Sequence, residues 1–104
     1  MNIETYLGFD VGTKRTGVAI ANSLTLQANG LAVVSHHKNG ATNWTEFDAI
    51  IKQHAVNLFI VGVPYDTNGK EQEMTFIAKS FARKLSTRYN IDMVFVDEYL
   101  SSNE

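Results

Sequence analysis

Apolar residues in the first third of the chain fall in short runs separated by polar or glycine-containing breaks. The length and composition of these runs predict three β-strands, at residues 6–10, 17–21 and 31–34. The first break contains Gly12 and Thr13, with Lys14 and Arg15 at the tip of the predicted turn. Because the links between the runs are short, we expect the three strands to form an antiparallel meander.

Two later segments have the periodicity of amphipathic helices. In the first, residues 44–55, the apolar positions share one helical face, with Asn43 as the predicted N-cap and Glu46 as its capping-box partner. In the second, residues 74–89, apolar side chains recur at spacings of three and four residues. Asn90 is expected to close this second helix in the left-handed conformation.

Two further predicted strands flank the second helix. Residues 58–63 are continuously apolar, as in a strand buried on both faces, and residues 92–96 form the last strand. A strand–helix–strand unit of this kind is a right-handed parallel crossover, so its two strands end at the same edge of the sheet. If the first strand runs parallel to them, Asp10 meets Asp97 and Glu98 at the edge where open α/β sheets bind ligands.

Carboxylates that lie together at one edge of a sheet can bind a divalent cation. Mg²⁺ takes oxygen ligands and usually only one or two carboxylates. Two such ions about 4 Å apart activate water and stabilise the leaving oxygen in phosphodiester cleavage. Asp10 and Glu98, or Asp97 in its place, are suitable ligands. The alternative is that Asp10 caps its own turn, while Asp97 and Glu98 are solvated or cap a following helix.

Cations near the same edge are candidates for contact with a nucleic-acid backbone. Backbone N–H groups at Gly12 and Thr13 permit phosphate binding, although most such dipeptides are simple turns. Lys14, Arg15 and Lys70 lie on predicted loops near the acids and can reach a phosphate. These residues form the predicted nucleic-acid contacts.

Other polar and aromatic residues are interpreted as structural. The cations of the second helix have the pattern of a solvated helix face; they are Lys79, Arg83, Lys84 and Arg88. His36 and His37 lie in a polar loop without further metal ligands, so we interpret them as surface histidines. Trp44 is expected in the core.

Composition limits the number of domains, the kinds of metal site and the kinds of partner that the chain can have. The chain has 104 residues, 44% of them hydrophobic and 19% charged, as expected for one folded domain over residues 1–104. A formal net charge of −2 gives no general attraction to nucleic acid, so such contact needs a local basic surface or metal ions. Cysteine is absent, which excludes disulfides and thiolate metal sites. Without a signal pattern or a bilayer-length apolar run, we expect a soluble cytoplasmic protein with no membrane partner.

Three motifs follow one another along the chain. Residues 8–19 read Gly-Phe-Asp-Val-Gly-Thr-Lys-Arg-Thr-Gly-Val-Ala, and residues 61–65 read Val-Gly-Val-Pro-Tyr, with Asn68-Gly69 and Glu71 after them. Residues 97–102 read Asp-Glu-Tyr-Leu-Ser-Ser. Together these motifs resemble those of the YqgF family, the Holliday-junction-resolvase-like proteins named as pre-16S rRNA nucleases, and they span nearly the whole chain.

The resemblance implies an RNase H-like fold, with a mixed five-stranded sheet in the order 3-2-1-4-5 and flanking helices. It implies a nuclease that hydrolyses phosphodiester bonds with Mg²⁺ or Mn²⁺, and that processes the 5′ end of pre-16S rRNA in ribosome biogenesis. Asp10 and Glu98 would then be catalytic acids and metal ligands, with Asp97 as a third catalytic candidate.

Two features depart from the family pattern. The family's Arg after the Asp-Glu pair is Tyr99 here, which removes a cation that could hold a phosphate or pair with an acid. The family also continues through at least one further helix with another catalytic Asp, whereas this sequence stops at Glu104. We therefore expect a C-terminally truncated form that lacks the last helix or helices and full nuclease activity.

Other functions stay open. The expected partner is structured RNA, such as pre-rRNA, or branched DNA, and a Holliday-junction-resolvase-like DNA nuclease is the first alternative. A non-catalytic nucleic-acid-binding module is the second. The Asp-x-Gly-Thr sequence at Asp10 also occurs in the phosphate loop of sugar kinases, actin and Hsp70, but those proteins close two domains around ATP and 104 residues cannot supply both. An exposed sheet edge or an uncovered core could promote a homodimer.

Overall fold

The computed structural model describes residues 2–99, with the side chains of residues 2–98. Leu100, Ser101 and Ser102 of the third motif lie outside the described residues, as does any helix that follows them. The predicted element order is confirmed: β1 (Thr5–Val11), β2 (Arg15–Asn22), β3 (Asn29–Ser35), α1 (Trp44–Gln53), β4 (Leu58–Tyr65), α2 (Glu73–Tyr89) and β5 (Asp92–Tyr99).

The strands form one sheet in the order β3-β2-β1-β4-β5, as predicted. The strands β1, β2 and β3 pair antiparallel as a meander, whereas β4 runs parallel to both β1 and β5. This arrangement brings the C-terminal ends of β1, β4 and β5 to one edge of the sheet. We call it the carboxyl edge.

The last two strands extend beyond their predicted ends. Pairing between β4 and β5 continues through Pro64 opposite Glu98 and Tyr65 opposite Tyr99, so Asp97 and Glu98 are strand residues. The pairing of β4 with β1 ends earlier, at Phe9 opposite Val61. Beyond that point β4 has a neighbour on one side only, which lets a proline without an N–H donor remain in the strand.

Both helices pack on one face of the sheet, which buries an apolar core. At its centre the Phe9 ring lies 5.6 Å from the rings of Phe59 and Phe81 and 6.0 Å from that of Phe47, all centroid to centroid. Tilted and edge-to-face rings at these separations are favourable beyond their buried area. Every second residue of β1 and β4 points into this core, as strand alternation requires.

The helix ends agree closely with the sequence prediction. The Asn43 side chain accepts a hydrogen bond from the Glu46 backbone N–H at 3.3 Å, and its amide donates to the Glu46 carboxylate. Asn90 takes the left-handed conformation, with φ 55° and ψ 47°, and closes α2. Helix α1 ends at Gln53, two residues before its predicted end, because His54 is already extended.

The opposite face of the sheet carries glycines and exposed valines. Val33, Val94 and Val96 are 63%, 44% and 46% exposed. Neither α1 nor α2 packs on this face, which we call the open face. Within residues 2–99, no helix combines the length and apolarity needed to cross a membrane.

The fully buried Thr16 supplies a test of the packing on β2. Within the described residues its hydroxyl has no hydrogen-bond partner. We expect Thr16→Val to raise the free energy of unfolding by about 1 kcal/mol, because valine has the same shape without an unsatisfied polar atom. Urea unfolding measures the change.

Thr75 is the matched control for this substitution. It is also fully buried, but its hydroxyl donates to the Pro64 carbonyl and accepts from the Gln72 backbone N–H. Thr75→Val should therefore lower the free energy of unfolding by about 1–2 kcal/mol. Equal losses in both variants would contradict the assignment of Thr16 as an unsatisfied residue.

Candidate functional site

Asp10 lies near the end of β1, on the open face, and its side chain is exposed. On one side its partner across the sheet is Gly17 of β2. On the other side lies Gly62 of β4, because Gly62 follows Val61, the partner of Phe9. A carboxylate flanked by two residues without side chains has open space on both sides.

Glu98 of β5 reaches this space across Gly62. A Cβ atom on Gly62 would lie 2.6 Å from the Glu98 carboxyl carbon and 2.6 and 2.7 Å from its two oxygens. The Glu98 carboxylate therefore occupies the volume that any side chain at position 62 would fill. Gly62 itself lies beside Asp10, so the glycine brings the two acids to the same part of the sheet.

The two carboxylates are electrostatically coupled. The pKa of Glu98 is raised, first by partial burial and then by the negative charge of Asp10. Both acids line a concavity of about 450 Å³ on the open face, whose floor includes Gly8, Gly17 and Gly62. A cation placed between the acids would relieve their repulsion.

Asp97 lies on the other face of the sheet. Its strand partner is Val63, which belongs to the buried face of β4, whereas Glu98 alternates to the open face. Asp97 does not line the concavity that holds Asp10 and Glu98. The structure thus brings together two of the three predicted catalytic acids and separates the third.

The predicted nucleic-acid contacts surround the carboxyl edge. Thr13 and Lys14 form the tip of the β1–β2 turn, in which the Gly12 backbone N–H donates to the Arg15 carbonyl at 2.9 Å. By strand alternation, Arg15 shares the open face with Asp10. Lys70 lies in the exposed turn after β4. Among the described side chains, none of these three cations has an acidic partner within ion-pair distance.

The tightness of this turn depends on Gly12. A Cβ atom there would lie 2.6 Å from the Arg15 carbonyl oxygen, which is backbone and cannot rotate away. Gly12 has no left-handed φ, so the requirement for glycine is one of space. The turn places Lys14 and Arg15 four and five positions after the catalytic candidate Asp10 in the sequence.

The donor set fits one hard divalent cation. Mg²⁺ usually binds proteins through one or two carboxylates and keeps several waters, so Asp10 and Glu98 suffice for one ion. Across residues 2–98, no group of three or more His, Cys, Asp or Glu side chains is arranged to hold a metal.

Comparison with known proteins identifies the family. The family model described as "RuvX: Holliday junction resolvase" matches residues 4–104. The chain belongs to the RuvX family. A Coxiella burnetii protein named "Putative pre-16S rRNA nuclease" is 41% identical over 98 residues, which cover 94% of this chain and 69% of that protein. A Shewanella oneidensis protein of the same name is 36% identical over 104 residues, covering all of this chain and 73% of its own length.

Solved structures agree with the RuvX assignment at the level of the fold. Thermus thermophilus RuvC, in complex with a Holliday junction substrate, has a TM-score of 0.62 and 11% identity, covering 90% of this chain and 64% of that one. Archaeoglobus fulgidus Pelota has a TM-score of 0.57 and 15% identity, with coverage of 96% and 29%. The RuvC likeness confirms the predicted RNase H-like class. The prediction of a nuclease-like protein is confirmed at the level of the family.

Gly62 is the residue of the candidate site that sequence reasoning missed. It lies within the Val-Gly-Val-Pro-Tyr motif of residues 61–65. A glycine inside a continuous apolar strand often marks a point where another group approaches the backbone closely. That signal was present in residues 58–63, although it does not say which group approaches.

Proposed function

We propose that this RuvX-family protein is a metal-dependent nuclease that cleaves phosphodiester bonds in structured RNA. Cleavage of pre-16S rRNA is the reaction that the names of its relatives favour, and the family resemblance points to its 5′ end. One observation carries the proposal: Asp10 and Glu98, which are 88 positions apart in the sequence, meet over Gly62 on one face of the sheet.

Each site residue has a proposed role. Asp10 and Glu98 hold one Mg²⁺ or Mn²⁺ ion. When bound, the ion supplies an activated water and charge stabilisation at the reacting phosphate. Thr13, Lys14, Arg15 and Lys70 bind the phosphates that flank the scissile bond, since all four lie at the carboxyl edge. We place Asp97 outside the metal site because it alternates to the other sheet face.

A Holliday-junction DNA nuclease is the second candidate, since the matching family model is described as a Holliday junction resolvase. The described cations contact phosphates in either substrate. Discrimination between RNA and branched DNA therefore has to come from the shape of the substrate or from 2′-hydroxyl contacts.

Residues 1–104 are proposed as a single cytoplasmic domain. Homodimer formation stays a prediction. The exposed valines of the open face, on the two edge strands β3 and β5, give it physical support, because exposed apolar surface favours association.

The direct test is a cleavage assay with Mg²⁺, Mn²⁺ or EDTA. Its substrates are a structured RNA containing the 5′ end of pre-16S rRNA and a four-way DNA junction, both end-labelled. We expect metal-dependent cleavage of the RNA, with the Coxiella burnetii relative as a positive control. Comparing the cleavage rates of the two proteins measures whether this chain is less active than the relative. Tight RNA binding without metal-dependent cleavage, while the relative cleaves, would favour the non-catalytic module.

A further inference from the structure

We propose that a groove along α2, on the helix-bearing face of the sheet, binds a single-stranded stretch of the nucleic-acid substrate that extends around the carboxyl edge from the metal site. This inference rests on the proposed function and names the form of substrate that the site prefers. The groove has an upper part at the carboxyl edge and a lower part further along α2. Lys84 lines both parts, so they adjoin at this side chain.

The upper groove has a volume of about 330 Å³ and an apolar, accessible wall. Phe76 and Ile77, in the first turns of α2, are 57% and 40% exposed. His36 and Ser80 add polar groups to the same lining. An exposed aromatic ring beside hydrogen-bonding groups is suited to a nucleotide base that stacks on the ring.

The upper groove adjoins the turn that follows Asp10. Its lining includes Val11, the residue after Asp10. A His36 ring nitrogen lies 3.1 Å from the Gly12 carbonyl oxygen, and the His36 backbone N–H donates to the Lys14 carbonyl at 2.9 Å. Val11 faces the helix side of the sheet and Asp10 the open face, so a strand that leaves the reacting phosphate reaches the groove by passing around the carboxyl edge, over this turn.

The lower groove is larger and basic. It has a volume of about 450 Å³ and is lined by Trp44, Arg83, Lys84, Thr87 and Arg88. Phe76 and Thr87 are eleven positions apart on α2, so the two parts together extend roughly 16 Å along the helix. This length suits several nucleotides rather than a single one.

The charge of the lower groove favours an anion. Asp48 accepts two hydrogen bonds from the Arg88 guanidinium at 2.9 and 3.0 Å, which holds the pKa of Asp48 at about 2. Arg88 is thereby fixed 5.1 Å above the Trp44 ring. Arg83 and Lys84 form no ion pair with any described residue, and no described carboxylate lines either part of the groove, so the net positive charge of the groove comes from these two cations.

This local charge stands out in a chain of net charge −2. Cations that track a polynucleotide backbone, combined with an exposed ring, are the features of single-strand binding surfaces. A duplex hides the faces of its bases, so Phe76 can stack only on an unpaired base. Trp44 is not available for this contact, because its ring already stacks on Phe81 at 5.8 Å.

Binding of fluorescently labelled RNA hairpins, in EDTA to prevent cleavage, tests the inference. One hairpin is blunt and the other carries a short single-stranded tail. We expect the tail to raise the affinity of the wild-type protein on the order of tenfold. Lys84→Glu should abolish this gain, and Phe76→Leu should reduce it severalfold while the blunt hairpin binds as before.

The matched control is Lys52→Glu, which reverses an exposed charge on α1 that lines neither part of the groove. It should keep the full gain from the tail. The inference is overturned if the tail gives no gain, if Lys52→Glu removes the gain as completely as Lys84→Glu, or if an acidic peptide of equal charge displaces the tail as well as single-stranded RNA does. Circular dichroism confirms that each variant is folded.

Failure of this inference is distinguishable from failure of the proposed function. Metal-dependent cleavage with no effect of the tail or of Lys84→Glu on binding contradicts the groove alone. Tail-dependent binding that Lys84→Glu abolishes, without cleavage of any substrate, contradicts the nuclease proposal and leaves the groove supported.

Discussion

Asp10→Asn is expected to lower the rate of metal-dependent cleavage by a factor on the order of 10³ or more. The substitution keeps the size and exposure of the side chain but removes the negative charge that the ion needs. Cleavage of labelled RNA under single-turnover conditions measures the loss. Asp97→Asn is the matched control, because it removes an acid one residue from Glu98 on the other sheet face. It should retain most of the activity.

The same Asp10→Asn substitution should slightly stabilise the metal-free protein. The charge of Asp10 contributes to the raised pKa of Glu98, and an acid with a raised pKa in the folded state costs stability once it ionises. The gain should be present at neutral pH and disappear as the pH falls below 4.5, the ordinary pKa of glutamate. Because both groups are largely exposed, we expect about 0.5 kcal/mol or less. Lower stability of Asp10→Asn at pH 7 would contradict the coupling.

Gly62→Ala is expected to lower the cleavage rate on the order of 10², although both acids remain in the chain. The new Cβ would occupy the position of the Glu98 carboxylate, at 2.6 Å from its carbon. This carboxylate is the end of a flexible side chain, so it rotates away while the strand stays in place. Single-turnover cleavage measures the loss, and thermal unfolding checks that the fold is retained.

Gly30→Ala is the control for Gly62→Ala. Gly30 lines the same concavity, but an added Cβ there meets no atom within 4 Å. We expect its activity to match that of the wild type. Equal losses in Gly30→Ala and Gly62→Ala would show that the open face tolerates no added methyl group. That result would contradict the explanation that Gly62→Ala acts by displacing the Glu98 carboxylate.

The sequence is sufficient to predict the order of strands and helices and the edge of the sheet at which the candidate site lies. The β1–β2 hairpin follows from two apolar runs around Gly12-Thr13, and the parallel crossover follows from a helix between two apolar strands. These features depend on local pattern and on connection rules that hold for most α/β proteins. The strand order itself was expected only from the family resemblance.

The sequence could not show which face of the sheet each acid occupies. The last strand was predicted to end at Val96, which leaves Asp97 and Glu98 without a defined alternation. Their faces are fixed only because β4 continues beside them through Tyr65. A shift of one residue would exchange the two acids, so this part of the site depends on a pairing between distant segments.

The α2 groove was hidden for a similar reason. Lys84 and Arg88 have the spacing of solvated helix residues, and His36 lies in a polar loop. Only the packing of Trp44 and the His36 loop against α2 turns this surface into a groove. Periodicity along one helix carries no information about such contacts.

Mn²⁺ binding followed by NMR tests the central claim most directly, because paramagnetic Mn²⁺ broadens the signals of nearby backbone amides. We expect one site per chain, with broadening centred on Asp10, Gly17 and Gly62. Binding should be lost in Asp10→Asn and Glu98→Gln and retained in Asp97→Asn. Retained binding in Asp10→Asn, or equal loss in Asp97→Asn, would contradict a metal site built by Asp10 and Glu98 across Gly62.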